Sequence, residues 1–285
     1  MATGSQLFRR VGGEPARALV TGASAGIGAA FAARLAREGV DLILVARSRD
    51  RLEALANELR DSCQVSVDVL PADLTRAADL RAVAEIAAGD PRLDMLVNSA
   101  GFATLGRFDQ LDLEREEAEI LLNVVAPVRL THAALPDMIS RGHGYIINVS
   151  SIAAFLPGRY SATYCATKAY LNSFTEALHE ELRRSGVVVQ VLCPGFTRTE
   201  FHQRAGVDSS KFPSFAWTSA ADVAEASLAA LRRGKLVCIP GTANRLVAAT
   251  LRLLPRRLVS RAGGVGAKRG WAARRRHLTS NSTNG

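Results

Sequence analysis

Arg17-Ala-Leu-Val-Thr-Gly-Ala-Ser-Ala-Gly-Ile-Gly28 reads as a buried strand, Arg17–Val20, running through a glycine turn into a helix that continues to about Glu38. Gly22, Gly26 and Gly28 carry no side chains, so backbone N–H groups can approach a pyrophosphate at the positive end of that helix. Ser24 and Ile27 lie in the same turn and are grouped with it. A tight strand-to-helix connection also favours glycine, but its place directly after the first strand points to a dinucleotide site.

Further along, Gly39 closes the helix and Val40–Ala46 forms a second strand. Leu52, Leu55, Ala56 and Leu59 recur at helical spacing within Arg51–Arg60. Val65–Leu70, Leu93–Val97, Tyr145–Val149, Val187–Leu192 and Leu236–Ile239 read as further strands, most of them apolar almost throughout. Strands covered on both faces have that pattern. The predicted fold is α/β, a Rossmann-like doubly wound parallel sheet of about seven strands with helices on both faces. Residues 15–262 are expected to form a single dinucleotide-binding catalytic domain with C-terminal amphipathic helices. Residues 1–14 are expected to be an N-terminal tail, and 263–285 a basic, disordered one.

Composition narrows the class. The first fifteen residues contain Arg9, Arg10 and Glu14 and no apolar core, so they do not read as a signal peptide. No stretch approaches eighteen uninterrupted apolar residues, and no spanning helix is expected. Cys63, Cys165, Cys193 and Cys238 are scattered, and the five histidines form no HxxxH pattern. A metal-free, cytoplasmic protein is the expectation. The net charge of +9 belongs to the C-terminus: from Arg245 onward there are ten Lys/Arg and no Asp/Glu, leaving 26 basic against 27 acidic residues before it.

The second strand ends in Ala46-Arg47-Ser48-Arg49, with no carboxylate until Asp50. An acidic residue there would bind an adenosine ribose 2′-hydroxyl, whereas an arginine accommodates a 2′-phosphate. NADP is therefore favoured over NAD, with Arg47 as the phosphate contact. Asp73, after the third strand, suits the adenine amino group. Asn98-Ser-Ala-Gly101, after the fourth, offers Asn98, Ala100 and Gly101 where the backbone can run beside the cofactor.

Tyr164 and Lys168 are four residues apart in Tyr-Cys-Ala-Thr-Lys, and Ser151 precedes the tyrosine by 13 positions. On a helix, i and i+4 share a face, so an ammonium there favours the phenolate of a side chain whose free pKa is about 10. Ser150 rivals Ser151, but neighbours at a strand end point oppositely. Tyr160 is a decoy, because the residue four further on is Tyr164. A tuned tyrosine, a serine hydroxyl and a nucleotide turn together indicate proton transfer coupled to hydride transfer at a carbonyl.

From Arg17 to Pro240 the ordered motifs Thr21-Gly-x-x-x-Gly-x-Gly28, Asp73, Asn98-x-Ala-Gly101, Asn123, Ser151, Tyr164-x-x-x-Lys168 and Pro194-Gly195 resemble the single-domain short-chain dehydrogenase/reductase family. One departure is Ser99 where the family usually has a second asparagine. The resemblance implies that Tyr164 is the general acid in reduction and that Ser151 hydrogen-bonds the carbonyl oxygen. It implies that Lys168 binds the nicotinamide ribose and lowers the Tyr164 pKa, and that Asn123 holds a relay water. It also implies cofactor contacts from Pro194, Gly195 and Thr197 or Thr199, and a homodimer or homotetramer.

Phe196, Phe201, Phe212, Phe215 and Trp217 cluster after Pro194-Gly195. Such a lid suits a lipophilic ketone, fatty-acyl or steroid-like, or simply anchors itself to the body. Leu246, Thr250, Leu253, Leu254 and Leu258 recur at helical spacing among arginines, with Pro255 as a breaker. That segment suits an anionic membrane surface, and equally a cover over the cleft or a subunit contact; nucleic acid fits less well, since aromatics are not interleaved. The competing reading is an NADP-binding regulator with little turnover. The intact Ser151, Tyr164, Lys168 and Asn123 set favours the enzyme.

Overall fold

The computed structural model describes residues 15–206 and 217–254. Apolar runs in the sequence become the strands β1 (Arg17–Thr21), β2 (Asp41–Ala46), β3 (Val67–Pro71), β4 (Leu93–Asn98), β5 (Gly144–Val149), β6 (Val187–Leu192) and β9 (Val237–Cys238). They form one parallel sheet in the order β3-β2-β1-β4-β5-β6-β9. The chain builds outward from β1 to β3, then returns to β4 and builds the other way. The switch therefore lies between β1 and β4, and the crevice beyond the carboxyl ends of these strands is where such sheets bind ligands.

Both faces are covered. One core packs Phe31 and Leu35 of α1 (Gly26–Ala36), Leu52 and Leu59 of α2 (Arg49–Cys63) and Val223 and Leu228 of α8 (Ala220–Leu231) against the sheet. The other uses Leu80 and Val83 of α3 (Ala77–Gly89), Leu130 and Met138 of α5 (Ala126–Arg141) and Leu178 of α6 (Ala162–Glu181). At about 25 cal/mol per Å², burial of this kind is the main favourable term.

The expected strands are present with ends shifted by a residue or two. The first helix stops at Ala36, short of Glu38, and the last strand shrinks to two residues. One feature was not legible: β7 (Thr197–Arg198) pairs with β8 (Thr218–Ser219), and the Thr218 N–H donates to the Phe196 carbonyl at 2.9 Å. Two-residue strands carry no periodicity to detect.

Leu113–Arg141 is a continuous 29-residue helical run whose most apolar window has a mean hydropathy of 1.2, enough by length and composition to cross a membrane. Counting uninterrupted apolar residues overlooks it. Ala126, Leu130, Ala134 and Met138 are buried within the sheet core, so here it is a core helix. The run begins as α4 (Leu113–Ile120), passes through a π-helical turn at Leu121–Val125 and continues as α5. Single π-turns concentrate at functional sites, and this one carries Asn123.

Candidate active site

β5 delivers Ser150 and Ser151 to the carboxyl edge of the sheet, and α6 runs behind them with Tyr164 and Lys168 in its first two turns. The two serines part as strand geometry requires. Ser150 Oγ turns inward and donates to the Lys168 carbonyl at 2.9 Å. Ser151 Oγ accepts from the Ala153 N–H at 3.1 Å and hydrogen-bonds Tyr164. Lys168 is buried; its Nζ donates to the Val149 carbonyl at 2.9 Å and lies 5.8 Å from the centre of the Tyr164 ring.

The electrostatics differ from the sequence expectation. Burial pushes the Tyr164 phenol well above its ordinary range; the Ser151 hydrogen bond opposes this, and the charges of Cys165 and Glu119 add to it. Burial also lowers Lys168 to about 8, with Glu119 pulling the other way. Lys168 therefore does not bring Tyr164 toward neutrality in the chain alone, because desolvation outweighs an ammonium that already spends a proton on Val149. Tyr164 is held as a neutral phenol.

On the nucleotide side, Gly22 has φ +68°, and a Cβ there would lie 2.9 Å from the Ala100 nitrogen, so the turn fits directly against the strand that follows β4. Gly26 (φ +59°) abuts the side chain of Thr199. The N-terminus of α1 has no side-chain cap and no acid in its first turn, and Ser24 and Ile27 flank it half-buried. Arg47 is exposed at the end of β2 and makes no ion pair among the described residues, whereas Arg49 faces Glu53 at 3.7 Å. Asp73 Oδ1 accepts from the Thr75 N–H and hydroxyl at 3.1 and 2.7 Å. An uncapped helix end, close-fitting glycines and an unopposed arginine form a cradle that fits a dinucleotide bearing an extra phosphate.

Beyond β6, Pro194 is buried, Thr197 Oγ1 donates to the Gly195 carbonyl at 3.1 Å, and Thr199 caps α7 (Glu200–Arg204) by accepting from Phe201 N–H. Thr199 is thus the threonine that meets the glycine turn. Phe201 packs 5.7 Å from the Tyr164 ring and 5.6 Å edge-on from His202, which in turn meets Phe196 at 5.5 Å and Trp217 at 4.8 Å. Phe212 and Phe215 lie outside the described residues.

Residues 16–209 match the short chain dehydrogenase family. The chain belongs to the short-chain dehydrogenase/reductase family. An uncharacterized oxidoreductase of Staphylococcus aureus is 34% identical over 221 residues, 77% of this chain and 92% of the relative. A short-chain dehydrogenase from Sphingobium yanoikuyae, solved in complex with NADPH, is 42% identical with a TM-score of 0.77, covering 82% of this chain and 92% of that one. The bulky-bulky ketone specific alcohol dehydrogenase of Comamonas testosteroni is 34% identical with a TM-score of 0.73 over the same shares.

Within this short-chain dehydrogenase, two asparagine side chains are tied into the fold. Asn98 is buried, and its amide donates to Asn148 at 2.8 Å and Thr131 at 3.3 Å, tying β4 to β5 and α5 and leaving its backbone at the carboxyl end of β4. Asn123 Nδ2 donates to the Phe102 carbonyl and Thr167 Oγ1, while its Oδ1 accepts from the Phe102 N–H. Gly101 must be glycine for this clasp, since a Cβ would sit 2.8 Å from Asn123 Oδ1. His202 belongs to no motif in the sequence. Burial lowers its pKa and keeps it a neutral ring among aromatics; its place beside Phe201 is the signal that the sequence holds.

Proposed function

We propose that this protein is an NADP(H)-dependent oxidoreductase that interconverts a bulky, apolar ketone and its alcohol. The observation that carries the reading is the meeting of Ser151 with a neutral, half-buried Tyr164 above Lys168. Bound NADPH supplies the hydride. In reduction, Tyr164 donates its proton to the carbonyl oxygen, and Ser151 hydrogen-bonds the same oxygen as charge develops. Lys168 retains N–H donors beyond the one given to Val149, and these suit ribose hydroxyls. Gly22, Gly26, Gly28 and Thr199 border the diphosphate, and Arg47 takes the 2′-phosphate.

Arg47→Asp is expected to lower the ratio of kcat/KM for NADPH over NADH by about 100-fold, because a charge-assisted contact becomes a repulsion. Steady-state kinetics with both cofactors checks it; an unchanged ratio removes Arg47 from the site.

The substrate class rests on the ring wall from Tyr164 through Phe201 and His202 to Trp217 and on the Comamonas relative named for bulky ketones. NADPH oxidation over a panel from acetaldehyde to diaryl, steroid and fatty-acyl ketones tests it. Turnover is expected to rise with apolar bulk; equal or better turnover of small polar carbonyls refutes the substrate class.

Leu113, Ile120, Leu121 and Val125 on the α4–α5 run and Tyr170 on α6 are exposed apolar side chains, and we assign them to a homodimer or homotetramer contact. α9 (Thr242–Leu253) buries Ala248 but exposes Leu246 and Leu253, two turns apart, beside Arg245. Leu258 and Pro255 of the expected pattern lie outside the described residues. With ten basic and no acidic residues from Arg245 onward, this face suits peripheral contact with an anionic membrane by an otherwise cytoplasmic enzyme. Sedimentation with phosphatidylserine vesicles is expected at low salt and lost at high salt; no binding at low salt rejects it.

A further inference from the structure

α4 is packed inside out. Leu113 and Ile120 are exposed, while the side chains the helix buries are two carboxylates, Glu116 and Glu119. Buried carboxylates are costly unless hydrogen-bonded and compensated by charge. Glu119 Oε2 accepts from the Thr104 N–H at 2.7 Å and the Thr104 hydroxyl at 2.5 Å, and Oε1 has no partner among the described residues. Glu116 takes the hydroxyl of Thr163, the residue before Tyr164, and its Oε1 is likewise unpartnered among the described residues.

Thr104 belongs to the same loop as Phe102, whose N–H and carbonyl clasp Asn123 at 3.2 and 2.9 Å. Asn123 in turn reaches Thr167, next to Lys168. Lys168 itself is buried with its ammonium on a carbonyl and, among the described residues, no carboxylate at ion-pair distance. Glu119 is the carboxylate whose charge acts on both Lys168 and Tyr164; burial raises its own pKa, and the two Thr104 bonds and the Lys168 ammonium oppose that rise and favour the ionised form.

We propose that Glu119 is a positioning residue of the proton-transfer pair, a buried counter-charge that keeps Lys168 protonated and Tyr164 neutral while its Thr104 bonds fix the loop that clasps Asn123. The role rests on the reading of Tyr164 as proton donor. Both electrostatic effects have one sign, since a carboxylate stabilises an ammonium and opposes a phenolate. The other titratable groups facing the pair are Glu116 on α4, Cys165 on α6 and Cys193 after β6. Cys165 acts on Tyr164 and Cys193 on Lys168 with the same sign as Glu119, but each on one member of the pair, whereas Glu116 acts on Glu119 itself and bonds to Thr163.

The test is 15Nζ-lysine NMR on the ligand-free full chain, with the Lys168 signal assigned by Lys168→Met. The wild-type midpoint is expected at about 8, and Glu119→Gln, which keeps an acceptor for Thr104, lowers it by about one pH unit. Thr104→Val, which loosens the carboxylate, lowers it less. In ketone reduction the alkaline limb of kcat falls by the same amount in Glu119→Gln while KM for NADPH holds, and Glu119→Asp restores it. An unmoved Lys168 midpoint in folded Glu119→Gln overturns the proposal. If that variant does not fold, an unmoved midpoint in Thr104→Val does so. A wild type without ketone turnover sinks the reading of Tyr164, while the NMR titration separately decides the counter-charge.

Discussion

Tyr164→Phe is expected to lower kcat/KM for ketone reduction by about a thousandfold or more, some 4 kcal/mol of transition-state stabilisation, and to leave the Kd for NADPH within about twofold. Phenylalanine keeps the ring against Phe201 and the packing of α6, so the loss isolates the hydroxyl. Burial holds the wild-type phenol protonated well past neutrality, which suits an acid in reduction. The reverse reaction needs the phenolate, so alcohol oxidation climbs with pH while reduction stays level up to about the Lys168 midpoint. Stopped-flow kinetics and NADPH fluorescence titration check both halves. Residual turnover above about a tenth of wild type assigns the proton to another donor.

Lys168→Met is expected to cost about 100-fold or more in turnover and to change how stability depends on pH. Lys168 is lowered from the ordinary 10.5 to about 8 by burial. Below about pH 8 both folded and unfolded chains carry the proton, and the wild type bears the full desolvation cost, about 3 kcal/mol by linkage. Between 8 and 10.5 the unfolded chain binds the proton and the folded chain does not, so the wild type gains stability as pH rises through that window. Relative to Lys168→Met, the wild type should therefore become more stable by up to about 3 kcal/mol from pH 7.5 to 10.5. Urea melts across that range check it; parallel curves show that Lys168 is not buried as a charged group. A residue that costs stability where it serves chemistry is the usual compromise of an active site.

The sheet was legible because its strands are buried on both faces, so Val40–Ala46 and Val187–Leu192 stand out as apolar runs whatever surrounds them. Strand alternation sets Ser150 and Ser151 apart and the 13-residue spacing from Tyr164 selects Ser151; the two hydroxyls do part, one to Tyr164 and one to the Lys168 carbonyl. Less legible was what three-dimensional context sets. The sequence gives no sign that the Asn98 amide ties β4 to Asn148. Spacing brings Lys168 near Tyr164 but says nothing of the desolvation that dominates both. α4 gives no sequence signal of its packing: Glu116 and Glu119, in a charged helix, are its buried side.

The central claim is hydride transfer from NADPH to a ketone carbon, and the most direct measurement uses NADPH deuterated at one face of C4. A bulky ketone is incubated with the protein, and the alcohol product is weighed by mass spectrometry. The account predicts one deuterium at the carbinol carbon from one labelled face only, and no labelled product from Tyr164→Phe above about a thousandth of the wild-type rate. Saturating NADPH binding with no deuterated alcohol from any ketone in the panel would contradict it.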